Sequence, residues 1–303
     1  QTGEIDAAVV GGINLSLHPN KYLLLCEHKF ASARGKCESF GDKGEGYIPG
    51  EGVASILLKP LSKALKNNDH IYGVIKGTAI NHGGTSHGGY LVPNPERQAD
   101  VIEKSLKNAQ INPRTISYVE AHGTGTSLGD PIEIAGLQKV YEKYTQENQF
   151  CKIGSVKSNI GHLEGAAGIA GLIKVLLQME HKQIVPSIHS ENLNPYIDFE
   201  PSPFTVSRDN SAWERPLIKE KDSYVEYPRR AAISAFGAGG ANAHVIVEEF
   251  INEEDELYSY GQHDYAIVLS AKSKEQLKES ARRLLKKMEA DELLNSDLSS
   301  IAY

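Results

Sequence analysis

Cysteine is the first shortage. The 303 residues hold three, Cys26, Cys37 and Cys151, far apart and with no CxxC spacing. An odd, sparse set excludes a disulfide framework and suits a reducing compartment, so the chain is expected to be cytoplasmic. None of the three precedes a helix in a setting that would activate a thiolate, so none is a candidate nucleophile. Positive charge is short as well: 32 Lys and Arg stand against 39 Asp and Glu, a formal charge of −7. A nucleic-acid surface needs clustered cations to neutralise phosphates, and short pairs such as Arg229-Arg230 and Arg282-Arg283 form no such patch. Long apolar runs are also missing. The longest, Gly168 to Leu177, is broken by Lys174 and falls far below the roughly 20 residues of a membrane-spanning helix. The opening residues lack the pattern of a secretory signal.

What remains, 40% hydrophobic and 23% charged residues, is an ordinary soluble composition with length for one large domain and part of a second. Short apolar runs alternate with helical patterns. Strands are expected at Asp6–Asn14, Val53–Leu58, Ile71–Ala79, before His122, before His162, at Ala231–Phe236, Val245–Val247 and Tyr265–Ser270. Helices are expected between Pro60 and Asn67, after the Asn94-Pro95 cap, after Asp130 as N-cap with Pro131 at the first helical position, over Glu164–Glu180 and over Ser273–Ala290. The small residues of the Glu164–Glu180 helix suggest close packing against another backbone. Phe30 to Gly52 reads as a long ordered loop of the functional or interface-forming kind. Residues 186–228 read as an irregular excursion with short strands, and Asn252 to His263 as an acidic linker. The alternation gives an α/β fold with buried sheets, divided into residues 1–250 and 251–303.

Two histidines stand out because each is delivered by the same strand, glycine-rich turn and helix plan. His122 follows Ile116-Ser117-Tyr118-Val119-Glu120-Ala121 and precedes Gly123-Thr124-Gly125-Thr126. His162 follows Lys152-Ile153-Gly154-Ser155-Val156 and Lys157-Ser158-Asn159-Ile160-Gly161. Imidazoles at the carboxyl ends of two strands can converge on one carbonyl oxygen, which suits chemistry in which an oxyanion develops. A lone histidine is otherwise a satisfied core residue. A metal site from His122, His162 and His244 lacks a compact ligand motif such as HExxH, and the Gly123 turn fits neither the GxGxxG nor the Walker pattern. No metal and no bound cofactor are therefore expected.

Four stretches carry a resemblance: Gly50-Glu51-Gly52, His122-Gly123-Thr124-Gly125-Thr126 with Gly129-Asp130-Pro131, Lys157-Ser158-Asn159-Ile160-Gly161-His162, and Phe236-Gly237-Ala238-Gly239-Gly240-Ala241-Asn242-Ala243-His244. In order and spacing, residues 3 to 249 resemble the ketosynthase domain of modular polyketide synthases, in the thiolase-like superfamily. Leu17-His18-Pro19-Asn20-Lys21-Tyr22, Asn81-His82-Gly83-Gly84 and Val92-Pro93-Asn94-Pro95 are similar to the bacterial subgroup served by an acyltransferase in trans. The resemblance implies a layered α/β/α/β/α fold, followed after about residue 251 by the start of a small α/β linker domain. It also exposes an absence. The family nucleophile is a cysteine in a turn a short distance before the stretch matching Gly3-Glu4-Ile5-Asp6, and this chain starts after it. The chain is expected to be the later part of a ketosynthase, inactive by itself.

The implied reaction is decarboxylative Claisen condensation of a carrier-bound malonyl unit with an acyl chain held on that cysteine. Carried over residue by residue, His122 and His162 are the catalytic oxyanion donors. Lys157 supports them, with Glu133 as its candidate partner; a purely structural ion pair is the alternative. Thr124 and Thr126 match the threonines that bind the phosphopantetheine arm, with local turn stabilisation as the other reading. Phe236 and Ala238 form the oxyanion and acyl gate, Ala238 standing where many fatty-acid-synthesis relatives have a phenylalanine. Ala241 replaces a more usual threonine, and His244 is structural. The implied partners are an acyl carrier protein, a second copy in a homodimer and neighbouring synthase domains. A non-elongating, acyl-transferring ketosynthase and a non-catalytic docking fragment are the rival readings; the presence of His122 favours elongation.

Overall fold

The computed structural model describes residues 3–84, 92–221, 223–252 and 266–289, in two units, Gln1–Phe250 and Ile251–Tyr303. The strands are β1 Ala8–Asn14, β2 Gly52–Leu58, β3 Val74–His82, β4 Tyr118–Glu120, β5 Cys151–Gly154 and β6 Gln183–Ile184. They continue as β7 Phe204–Val206, β8 Ser211–Ala212, β9 Leu217–Glu220, β10 Ser223–Glu226, β11 Arg230–Phe236 and β12 Ala241–Glu248. The helices are α1 Asn20–Glu27, α2 Leu61–Lys66, α3 Pro95–Ala109, α4 Gly129–Tyr141, α5 Lys157–Ile160, α6 Ala167–His181 and α7 Lys274–Glu289.

Six strands form the main sheet in the order β3-β12-β11-β4-β5-β7. β11, β4, β5 and β7 are parallel neighbours, and β12 and β3 join at one edge through antiparallel pairings. Alternation along a strand sends successive side chains to opposite faces. Val119 accordingly belongs to the core built with Val101, Ile102, Ile134 and Leu137 of α3 and α4, while Tyr118 belongs to the one built with Val175 and Met179 of α6. A second, two-stranded sheet pairs β1 antiparallel with β2, from Ala8 opposite Leu58 to Asn14 opposite Gly52.

A side-chain cap sets the start of α3, and α1, α2, α4, α5 and α6 begin without one. Asn94 caps α3, its Oδ1 accepting the N–H groups of Glu96 and Arg97 at 3.0 and 3.3 Å, with Pro95 in the first turn. Asp130 does not cap α4 as its sequence context suggests. The helix begins at Gly129, and the buried Asp130 carboxylate accepts the N–H groups of Phe40 at 2.8 Å and Gly125 at 3.1 Å. Two loop amides outcompete the helix end because they satisfy a carboxylate that is 2% exposed. The helix expected from Glu164 splits into a short 3-10 turn, Glu164–Ala166, and α6. At Gly171 of α6 the close neighbour is a side chain, a Cβ there lying 3.0 Å from Glu120 Cγ, whereas the approach of another backbone is at Gly165, where a Cβ would lie 3.2 Å from the Ile13 carbonyl oxygen.

Three other expectations change. Cys26, in a polar stretch whose composition suggests irregular structure, sits on the exposed helix α1. The strand read at Ile71–Ala79 runs over Val74–His82. Ala266–Ser270 carry no strand, and Tyr265, residues 253–263 of the linker and Ala290 lie outside the described residues. α7 is amphipathic, with Leu277, Leu284 and Leu285 on its apolar side. No helix among the described residues is long and apolar enough to cross a membrane.

His244 illustrates how the core handles a titratable ring. It is fully buried on β12, its Nδ1 lies 3.1 Å from Ser234 Oγ on β11, and burial pushes its pKa down to about 3. The unfolded chain therefore binds the proton first as pH falls below 6.5, so stability drops with falling pH across the window from 6.5 towards 3. Between pH 7 and 4.5 this residue is expected to remove about 3 kcal/mol of unfolding free energy. Denaturant unfolding of wild type and His244→Gln at both pH values checks it; an equal difference at the two would refute it.

Candidate active site

β4 and β5 lie side by side and parallel, with Glu120 opposite Gly154. The turns leaving their carboxyl ends therefore start at the same edge of the sheet, where open α/β sheets bind ligands. Ala121 continues the pairing, donating to the Gly154 carbonyl at 2.9 Å, and His122 follows. His162 comes after α5 and Gly161. Its N–H donates to the Ile48 carbonyl at 2.7 Å, and its carbonyl accepts from Gly50 N at 2.9 Å. The long loop over Phe30–Gly52 thus holds the backbone of His162 from both sides.

The two imidazoles meet edge to face, with centroids 5.2 Å apart. Phe236 lies 6.1 Å from His122, and Tyr47 lies 4.8 Å from His162. Both histidines line a cavity of about 1220 Å³ together with Thr124, Thr126, Phe236 and Ala238. Glu164 N donates to His162 Nδ1 at 2.8 Å. In the neutral ring the proton must then sit on Nε2, which makes that atom a donor. Nδ1 of His122 is buried without a hydrogen-bond partner. Burial holds both rings neutral. It lowers the His122 pKa well below 6.5 and that of His162 to about 3, and the positive charge of Lys157 adds to both effects.

Lys157 and Glu133 are both buried close to the rings but do not pair as expected. Among the described residues Lys157 forms no ion pair, and the Glu133 carboxylate accepts the N–H groups of His122 at 2.7 Å and Gly123 at 2.8 Å. Backbone amides take the carboxylate because they lie at the turn itself, and they fix the direction in which His122 leaves β4. Burial raises the Glu133 pKa against the pull of those two amides. Burial lowers the Lys157 pKa, opposed first by the charge of Glu120 and then by Glu133. Thr124 and Thr126 face each other, Oγ1 to Oγ1, at 3.2 Å, and Thr126 Oγ1 accepts from Gly129 N at 3.1 Å. Among the described residues no group of three or more His, Cys, Asp or Glu is placed to hold a metal ion.

Several contributors escaped the sequence reading. Glu164 orients His162 through its amide, and its carboxylate is in turn held by Lys21 at 2.8 Å and approached by Tyr47 Oη at 3.4 Å. Gln98 lines the cavity from α3, and its buried Oε1 has no hydrogen-bond partner. Glu120 and Lys174 form a buried ion pair at 2.8 Å beside the turns. Glu164 is visible in sequence as an acidic residue two positions after His162. Glu120 likewise stands two positions before His122, and Lys21, Tyr47, Gln98 and Lys174 are brought in from other segments.

Three family models tile the chain: the beta-ketoacyl synthase N-terminal domain over residues 1–64, its C-terminal domain over 72–191, and the ketoacyl-synthetase C-terminal extension over 194–302. All of the chain aligns at 57% identity with 7% of the polyketide synthase PksL of Bacillus subtilis, and at 50% identity with 5% of the polyketide synthase ThaG of Burkholderia thailandensis. Among solved structures, the oxazolomycin ketosynthase domain OzmH KS7 of Streptomyces albus superposes with a TM-score of 0.83 at 43% identity, over 98% of this chain and 50% of that one. The module 6 ketosynthase of the Bacillus subtilis bacillaene synthase gives 0.79 at 41%, over 99% of this chain and 50% of that one. The chain thus spans half the length of these solved relatives and a small fraction of the synthases. The architecture is the α/β, thiolase-like fold of those structures. The chain belongs to the beta-ketoacyl synthase family, among the ketosynthase domains of polyketide synthases.

Proposed function

We propose that this chain supplies the decarboxylation half of a polyketide-extending ketosynthase, of the type served by an acyltransferase in trans. The observation that carries the reading is the neutral His122–His162 pair, 5.2 Å apart in one cavity with Phe236 and Ala238. An acyl group rests on the family cysteine. A malonyl thioester on the phosphopantetheine arm of an acyl carrier protein loses carbon dioxide as its carboxylate–carbon bond breaks. The electron pair passes into the thioester, whose oxygen becomes negative, and N–H donors at His122 and His162 stabilise that charge. The carbanion then attacks the acyl-cysteine carbonyl, a carbon–carbon bond forms and the thiolate leaves. A neutral imidazole carries one N–H and suits this role, since a fixed donor needs no reorganisation as charge develops.

In this reading Thr124 and Thr126 bind the arm, and Phe236 with the Ala238 backbone forms the second oxyanion site and a roomy acyl channel. Residues 1–250 are the later portion of the ketosynthase, and 251–303 begin the linker domain. The protein works as a cytoplasmic homodimer beside other synthase domains. Decarboxylation of malonyl carrier by the full-length protein, wild type against alanine variants of the two histidines, tests the function; undiminished turnover in the variants would refute it. Lys157 supports the pair by adding its charge to the burial that keeps both rings unprotonated. Lys157→Ala is expected to move the acid limb of the decarboxylation pH profile to higher pH, because the charge that lowers both histidine pKa values is gone. A limb that stays in place would refute that role.

A further inference from the structure

We infer that Glu120 is a positioning residue whose buried carboxylate ties the His122 turn to the His162 turn and so sets the spacing of the two rings. The inference rests on the proposed decarboxylation for its catalytic readout only.

Glu120 ends β4, two residues before His122. Its Oε1 accepts the N–H of Val156 at 2.6 Å. Val156 immediately precedes Lys157 and opens the segment that ends at His162. The Oε2 atom accepts from Tyr118 Oη at 2.9 Å and from Lys174 Nζ at 2.8 Å, and Lys174 Nζ also donates to Tyr118 Oη at 2.8 Å. One carboxylate therefore joins its own strand, the β5–α5 turn and helix α6. The side chains of Glu120 and Lys174 are 2% and 8% exposed. Gly171 makes room for this approach, since a Cβ there would crowd the Glu120 side chain.

Stability alone is a poor account of such a cluster. Burying a carboxylate and an ammonium costs desolvation, and apolar replacements of similar volume often fold as well or better. What apolar side chains cannot do is accept the Val156 amide. The carboxylate has a second route to the rings: among nearby charges it is the foremost in opposing the burial that lowers the Lys157 pKa, and the Lys157 charge adds to the burial that keeps both histidines neutral.

The test compares wild type, E120Q and E120M/K174M in the full-length protein. The measurements are kcat and KM for malonyl-carrier decarboxylation, the rate of cysteine acylation by an acyl carrier, and the histidine ring NMR signals. E120Q is expected to lower decarboxylation kcat by up to about 100-fold, with KM and acylation within about twofold of wild type. E120M/K174M is expected to melt near the wild-type temperature yet remain as slow, and to shift the ring signals of His122 and His162 but not of His244. Full kcat and unshifted rings in the double variant would overturn the inference, as would equal losses in both half-reactions of E120Q. If the histidine variants decarboxylate normally, the functional reading fails, and the ring signals still decide the role of Glu120.

Discussion

Alanine at His122 or at His162 is expected to slow malonyl decarboxylation by about 10²–10³-fold, or roughly 2.7–4 kcal/mol in the barrier. In the proposed mechanism each substitution removes one N–H aimed at an oxygen that is neutral in the ground state and charged in the transition state, so the loss falls on kcat. The fold should tolerate the change. The backbone of His162 is held by Ile48 and Gly50 and that of His122 by Glu133, and none of those bonds uses an imidazole. Because both rings serve one oxygen, the double variant should lose less than the product of the single losses. Cysteine acylation should proceed in all three variants, since the proposed mechanism assigns it to the Phe236–Ala238 side of the cavity. Single-turnover measurement of carbon dioxide release against acyl loading separates the steps. Parallel loss of both would mean that the histidines maintain the fold.

Five of the six strands of the main sheet were legible because they are short apolar runs between glycine and proline signals, and the two histidine turns follow directly from such runs; β7, Phe204–Val206, lay unmarked in the irregular stretch 186–228. The loop over Phe30–Gly52 was legible as ordered, although nothing in its composition names His162 as the residue it holds. What stayed hidden is pairing between distant polar residues. Lys174 reads in sequence only as a break in an apolar stretch, yet it meets Glu120, fifty-four positions earlier. Asp130 has every local mark of a helix cap, and Phe40, ninety positions away, takes its carboxylate. Hydrophobic periodicity records which face of an element is buried. It carries no record of which carboxylate faces which amide once two faces meet. The expected Lys157–Glu133 bond failed for the same reason, as the amides of the His122 turn were nearer than the ammonium.

Gly161→Ala is expected to lower decarboxylation by about 100-fold while leaving both imidazoles in the chain. Gly161 has φ 76° and ψ −179°, a conformation that L side chains avoid. A Cβ there would sit 2.8 Å from the Ile48 carbonyl oxygen and 3.1 Å from Gly50 N. That carbonyl is the one that accepts the His162 N–H, and Gly50 N is the donor that holds the His162 carbonyl. The added methyl therefore presses on both anchors of the neighbouring histidine, and relief requires the ring to move away from its partner. Strain alone is expected to cost about 1–3 kcal/mol of stability. Gly35→Ala separates the two effects, because Gly35 also has a positive φ, 71°, but has open space where a Cβ would go. That variant should lose about 1–2 kcal/mol and keep its kcat. Denaturant unfolding and kcat measured on both variants decide the matter: equal activity in the two would show that the Ile48 and Gly50 anchors do not set the position of His162.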